Sequence, residues 1–200
     1  MIRMKKGDTL IEVMFAVAVF ASVMIGGIAL MNAGVAKTQA TLQLTMARNA
    51  MDAQAEILRY VNSVYVSNYP NSSDELSKTW KNIQKAAKNS ASDLNECPNT
   101  SSKFDSSWFV IDPISMTLRS GSASLESAST YPRMVYSNVA DTNKIDDRAT
   151  LNFARAEGIW VEPVKGEGYY DFHIRACWYA SGERVATTLG TIVRLYDPAK

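Results

Sequence analysis

Lys5-Lys6-Gly7-Asp8-Thr9-Leu10-Ile11-Glu12-Val13 opens a span that carries no charge from Val13 to Met31. At about 1.5 Å per residue that span makes a helix of roughly 28 Å, close to the thickness of a bilayer core. Arg3, Lys5 and Lys6 precede it, which places the short leader on the cytoplasmic side of a membrane. One acid, Glu12, stands at the lip of the run. A carboxylate at mid-bilayer costs about 2.5–3.5 kcal/mol on insertion scales and marks a partner or a pathway. A cut after Gly7 would create such a partner: the new α-amine of one copy pairs with Glu12 of a neighbour and sets the register between helices in a bundle.

Lys6-Gly7 before the cut, Thr9-Leu10-Ile11-Glu12 after it and the hydrophobic helix beyond resemble the class III signal peptide of the type IV pilin and pseudopilin family. The resemblance covers residues 5–31. It implies cleavage between Gly7 and Asp8 by a prepilin peptidase, N-methylation of the new N-terminus at Asp8, and a role for Glu12 in subunit assembly. One residue departs from the pattern, because the family usually begins its mature chain with Phe. An acid at Asp8, one turn from Glu12, weakens the pairing of Glu12 with the amine. In this family the hydrophobic helix loses helical structure locally inside the filament. Gly26-Gly27 is the matching weak point here, since two glycines cost about 2 kcal/mol of helix propensity against alanine. Close packing of these small residues against another helix is the competing reading.

Two plainer accounts of the N-terminus compete. Thr9-Leu10-Ile11-Glu12 also reads as a capping box, which leaves Lys-Lys-Gly unexplained. Gly34-Val35-Ala36 also reads as a small-residue secretory cleavage site, but the apolar run exceeds the usual h-region of about 7–15 residues.

The 200 residues suit one domain of ordinary size plus a long anchor. The formal charge is +1, from 21 Lys and Arg against 20 Asp and Glu. Loss of residues 1–7 removes three cations and leaves a mature chain of net −2. That balance gives no ground for strong nonspecific DNA binding. Cys97 and Cys177 are the two cysteines. In an exported domain they read most simply as a disulfide, with two buried thiols as the alternative.

Asp8 to about Val66 contains no proline, and its second half is amphipathic. Leu42, Met46, Ala50, Ala53, Ile57, Val61 and Val64 recur at steps of three or four, a stripe suited to packing under a sheet. A helix of roughly 89 Å is too long for a globular domain of this size, so its first half must project. Tyr69-Pro70-Asn71-Ser72-Ser73 ends it. Residues 74–88 read as a short amphipathic helix that starts at Ser73-Asp74-Glu75, and 89–107 as a polar surface loop pinned by Cys97.

The remainder reads as strands. Trp108 to Ile111 and Ile114 to Leu118 flank an Asp112-Pro113 turn. Residues 120–130 read as a loop, and Met134-Val135-Tyr136 as a short strand. The acidic stretch 141–147 lacks the glycine and distal glutamate of a calcium loop and reads as solvated. Ile159–Val164, Tyr169–Tyr179 and Val185–Tyr196 form an antiparallel meander. In its middle strand Tyr170, Phe172, Ile174, Ala176 and Trp178 alternate with Asp171, His173, Arg175 and Cys177.

The expected fold class is therefore α+β, a long N-terminal helix packed against a C-terminal antiparallel β-sheet head. Its parts are a leader (1–7), a transmembrane half-helix (8–31), an amphipathic half-helix (32–66), a connecting region (67–107) and the head (108–200). No catalytic, cofactor-binding or metal-binding constellation stands out, and one histidine, His173, cannot make a triad. The chain reads as a structural subunit, not an enzyme. It is a single-pass cytoplasmic membrane protein before assembly and then part of an extracellular pilus for adhesion, twitching motility or DNA uptake. The resemblance implies as partners other pilin subunits, the prepilin peptidase, an inner-membrane assembly platform, membrane lipid before assembly, and a host or partner cell surface or DNA. A type II secretion pseudopilin and a non-polymerising membrane-anchored adhesin are the alternatives. The tyrosines and tryptophans fall mostly at core periodicity; Tyr65, Tyr69, Trp108 and Tyr131 are the ones that an adhesive or inter-subunit surface could use.

Overall fold

The computed structural model describes residues 8–71, 73–93, 97–98, 105–113, 115–120, 125–126, 133–135, 155–180 and 185–198. Helix α1 spans Asp8–Asn68 and α2 spans Glu75–Ala86. Eight strands follow: β1 (Phe109–Ile111), β2 (Leu118–Ser120), β3 (Leu125–Glu126), β4 (Arg133–Val135), β5 (Arg155–Glu157), β6 (Ile159–Lys165), β7 (Tyr169–Trp178) and β8 (Thr187–Tyr196). The expected α+β class, with a long helix packed on an antiparallel sheet, is what the chain adopts. Two compact units divide it, residues 1–42 and 43–200.

The first unit is helix. Its large apolar side chains, from Leu10 to Val35, are exposed. Polar residues hide their hydroxyls in the helix backbone: Ser22 Oγ donates to the Ala18 carbonyl at 2.8 Å and Thr38 Oγ1 to Gly34 at 2.9 Å. This lets a polar residue sit in an apolar span without an unmet donor.

In the second unit a five-stranded sheet runs β2-β1-β6-β7-β8, with every neighbouring pair antiparallel. The expected meander is β6-β7-β8. A further sheet, β3-β5-β4, contains a parallel β3–β5 pair. The core lies where α1 and α2 cover one face of the larger sheet. Trp80 and Ile83 of α2 meet Phe109, Ile111, Tyr170, Phe172 and Ile174 there.

The helical stripe matches the expected one at Val61, with Ala50 and Ile57 packed against the core, and differs elsewhere. The buried face of α1 is Ala47, Met51, Gln54, Ala55, Leu58, Val61, Asn62 and Tyr65. Leu42, Met46 and Ala53 are exposed, and Ala50, Ile57 and Val64 are half-buried. Two polar residues on the inner face mask the true stripe. Gln54 accepts from Ile111 N–H and donates to Ile111 C=O, both at 2.9 Å, as a neighbouring strand would. Asn62 Nδ2 donates to the Tyr196 carbonyl at 3.4 Å. Gln54→Ala is expected to cost about 3 kcal/mol, because two buried backbone groups lose their partner at about 1–3 kcal/mol each. Denaturant unfolding of the full chain in micelles measures it; a loss below about 1 kcal/mol would show that water replaces the amide.

Boundaries shift for local reasons. Helix α2 begins after Asp74, whose carboxylate accepts from Ser77 N–H (2.9 Å) and Ser77 Oγ (2.6 Å). It stops before the expected 88 because Lys88 joins the sheet: its N–H donates to Pro163 and its carbonyl accepts from Lys165. The turn after β1 is wider than Asp112-Pro113. Asp112 N–H donates to Thr117 C=O at 3.0 Å and Met116 N–H to Asp112 C=O at 2.8 Å, with Met116 at φ +53°. The second strand therefore starts at Leu118, with residues 115–117 in the turn; Ile114 lies outside the described residues. Strand β3 lies inside the expected 120–130 loop, β4 sits one residue before the expected 134–136, and β5 had no counterpart in the reading. The 141–147 segment lies outside the described residues.

Candidate functional site

The residues singled out at the N-terminus fall on α1 or before it. Gly7 lies outside the described residues. Asp8 is the first residue of α1, and Glu12 is exposed one turn later. Gly26 and Gly27 are helical, and a Cβ built on either meets nothing within 4 Å. Neither glycine is needed for packing among the described residues of one copy. Helix α1 is long and apolar enough to cross a membrane, with a best window of mean hydropathy 2.5.

In the head, Cys97 and Cys177 form a disulfide with Cα atoms 5.5 Å apart. It belongs to a second buried layer on the sheet face opposite the helices. Trp108, Val110 and Trp160 pack around it, and the rings of Trp108 and Trp160 stack with centroids 5.2 Å apart. The sequence carried a sign of this layer. Ile159-Trp160-Val161 is continuously apolar, the mark of a strand covered on both faces, not alternating. The layer also corrects the aromatic surface expected at Tyr65 and Trp108. Tyr65 is 4 % exposed and Trp108 2 %; one is in the main core and the other under the disulfide. Tyr69 is exposed, at 42 %. Tyr131 lies outside the described residues.

Charged groups on this outer face come in held pairs. Glu162 is fully buried; its Oε1 accepts from Ser92 N–H and Ser92 Oγ, both at 2.6 Å. Its Oε2 lies 3.4 Å from Arg175 Nη2. Arg194 clasps Asp171 with two bonds of 2.7 Å and lies 4.0 Å over the Tyr169 ring. The Arg194 hydrogen bonds hold the Asp171 carboxyl below its usual range. Lys88 does the same for Asp105 through a direct hydrogen bond. Burial, and then the Arg175 charge, push His173 down, which favours the neutral imidazole.

Register explains the shape of this face. Arg175 on β7 stands opposite Gly190 on β8. With no side chain at Gly190, a cleft of about 370 Å³ opens between Trp160, His173, Arg175, Thr188 and Ile192. A smaller cleft of about 210 Å³ lies between Arg48, Met51 and Asp52 of α1 and Leu189–Thr191 of β8. Sequence reading missed both clefts and the Glu162–Arg175 pair. Only the glycine inside a β-branched run hinted at a notch. Among the described residues no group of three or more His, Cys, Asp or Glu could hold a metal ion. Comparison with protein-family models, with curated proteins and with solved structures returns no match.

Proposed function

We propose that this chain is a structural subunit of a type IV pilus-like filament. A prepilin peptidase cuts it between Gly7 and Asp8 and methylates Asp8. The chain waits in the cytoplasmic membrane as a single-pass protein and then enters an extracellular fibre with other subunits. The observation that supports this reading is a helix whose apolar side chains, from Leu10 to Val35, are exposed, next to Glu12 and a basic, glycine-ended leader. Such a surface needs lipid or other copies of itself, at about 25 cal/mol for each Å² removed from water. Lipid serves before assembly. Afterwards, helices packed side by side, with Glu12 of one against the amine of the next, would serve equally. Contacts that repeat head to tail do not close, so the product is an open fibre. The disulfide-tied head faces outward and supplies binding to a host or partner cell surface or to DNA.

The chain is accordingly expected in fibres sheared from intact cells, detected by an antibody to the head. Its recovery only from the membrane fraction, under conditions where fibres form, would favour a non-polymerising membrane-anchored adhesin.

A further inference from the structure

Strand β8 ends the five-stranded sheet, and among the described residues nothing pairs with its outer side. Its free backbone groups follow from the register. Asp197 N–H donates to Gly168 C=O at 3.1 Å, so this is a hydrogen-bonded pair, and such pairs recur every second residue. With Tyr170 opposite Leu195, Phe172 opposite Val193 and Ile174 opposite Thr191, the odd-numbered residues of β8 bond to β7. Thr188, Gly190, Ile192 and Arg194 therefore turn their N–H and C=O groups away from the sheet. At Tyr196 the outward carbonyl already accepts from Asn62. All four of those residues are exposed, Ile192 at 60 %.

The edge has little of the usual protection. Thr187–Tyr196 contains no proline and no lysine, its one charged residue, Arg194, is clasped by Asp171, and its pairing with β7 is unbroken over all ten residues. A row of alternating donors and acceptors at strand spacing is matched by one kind of ligand, an extended peptide backbone. The sides of the edge also fit such a ligand. Side chains of an added strand would alternate between the two faces of the sheet. At the level of Leu189–Thr191 each face has a cleft, about 370 Å³ on the outer face and about 210 Å³ on the α1 side.

The outer cleft selects charge. An added residue beside Gly190 stands two strand spacings from Arg175, about 10 Å between Cα atoms. The missing Cβ at Gly190 leaves the way clear: one built there meets only the Ile174 carbonyl, at 3.9 Å. A glutamate and an arginine together span that gap. Arg175 has donors to offer, because its contact to Glu162 is an ion pair at 3.4 Å and Glu162 Oε2 accepts no hydrogen bond.

We propose that β8 is a docking edge for an extended acidic peptide of a partner protein, which adds as a sixth strand and places a glutamate or aspartate over Gly190 against Arg175. This does not depend on the chain forming filaments. The test is amide hydrogen exchange on the full chain in micelles, with the capped peptide Thr-Val-Glu-Val-Thr-Val and its Glu-to-Lys counterpart as probes. The glutamate peptide is expected to slow exchange at Gly190, Ile192 and Arg194 at least tenfold at saturation, and the lysine peptide to do far less. Ile192→Pro removes an outward N–H that the sheet does not use, so it should abolish protection and leave the β7 amides unchanged. Gly190→Val should block the notch, and Arg175→Gln should erase the preference for glutamate. No protection by the glutamate peptide, or equal protection in Ile192→Pro, would overturn the proposal. So would protection of the same amides without peptide in a self-associated chain, which would assign the edge to a second copy.

Discussion

Glu12→Ala is expected to leave a cleaved, membrane-resident chain and to reduce sheared fibres by more than about tenfold. Glu12 is the one acid between Asp8 and the end of the charge-free span at Met31. In lipid it sits near the interface, where an acid is tolerated, so alanine does not hinder insertion. In a packed bundle it is removed from water and needs the α-amine of a neighbour. Deleting the acid leaves that amine with only the carboxylate of its own Asp8, which already weakens the pair, so the loss falls short of the about 3–5 kcal/mol of a fully broken buried pair. At about 1.4 kcal/mol for each factor of ten, even about half of that loss per subunit contact exceeds tenfold. Glu12→Gln keeps an acceptor and should recover part of the assembly. Immunoblots of sheared and membrane fractions read both outcomes. Normal fibre yield from Glu12→Ala would show that the acid has no part in assembly.

Replacing both cysteines, Cys97→Ala with Cys177→Ala, is expected to destabilise the head by about 4 kcal/mol in the chain-entropy account of a loop this long. The bridge spans 80 residues of sequence and so ties the connecting region to the end of β7. The double substitution also removes two sulfur atoms from a layer in which Cys97 is fully buried and Cys177 is 3 % exposed. Trp108, Val110 and Trp160 would lose packing on that side. A domain with about 5–15 kcal/mol of total stability would keep little margin. Thermal unfolding of the full chain in micelles, with and without reductant, measures the loss. A change under about 1 kcal/mol would mean that the tryptophan layer holds without the bridge.

The N-terminal span and the last three strands were legible in the sequence because their signals are local. A charge-free run needs only counting, and the alternation from Tyr170 to Trp178 marks its inner face directly. The face of α1 was harder. Gln54 and Asn62 lie on the buried side because Ile111 and Tyr196, 57 and 134 residues away, need hydrogen-bond partners there. No periodicity of α1 itself encodes that need, so the apolar series found Val61, Ala50 and Ile57 on the core side but misplaced Leu42, Met46 and Ala53, which are exposed. Trp108 looked like a surface aromatic for the same reason: its partner Trp160 lies on a distant strand. The disulfide was readable as a pair, but not the layer it anchors. That β8 ends the sheet among the described residues follows from sheet order, which no stretch of sequence states by itself.

The mass of the mature N-terminal peptide, taken from protein purified from its native cell, tests the central claim most directly. Processing at Gly7–Asp8 predicts a peptide that begins at Asp8, bare or with one added methyl group. A peptide that still carries residues 1–7, or one that begins at Lys37, would contradict the account.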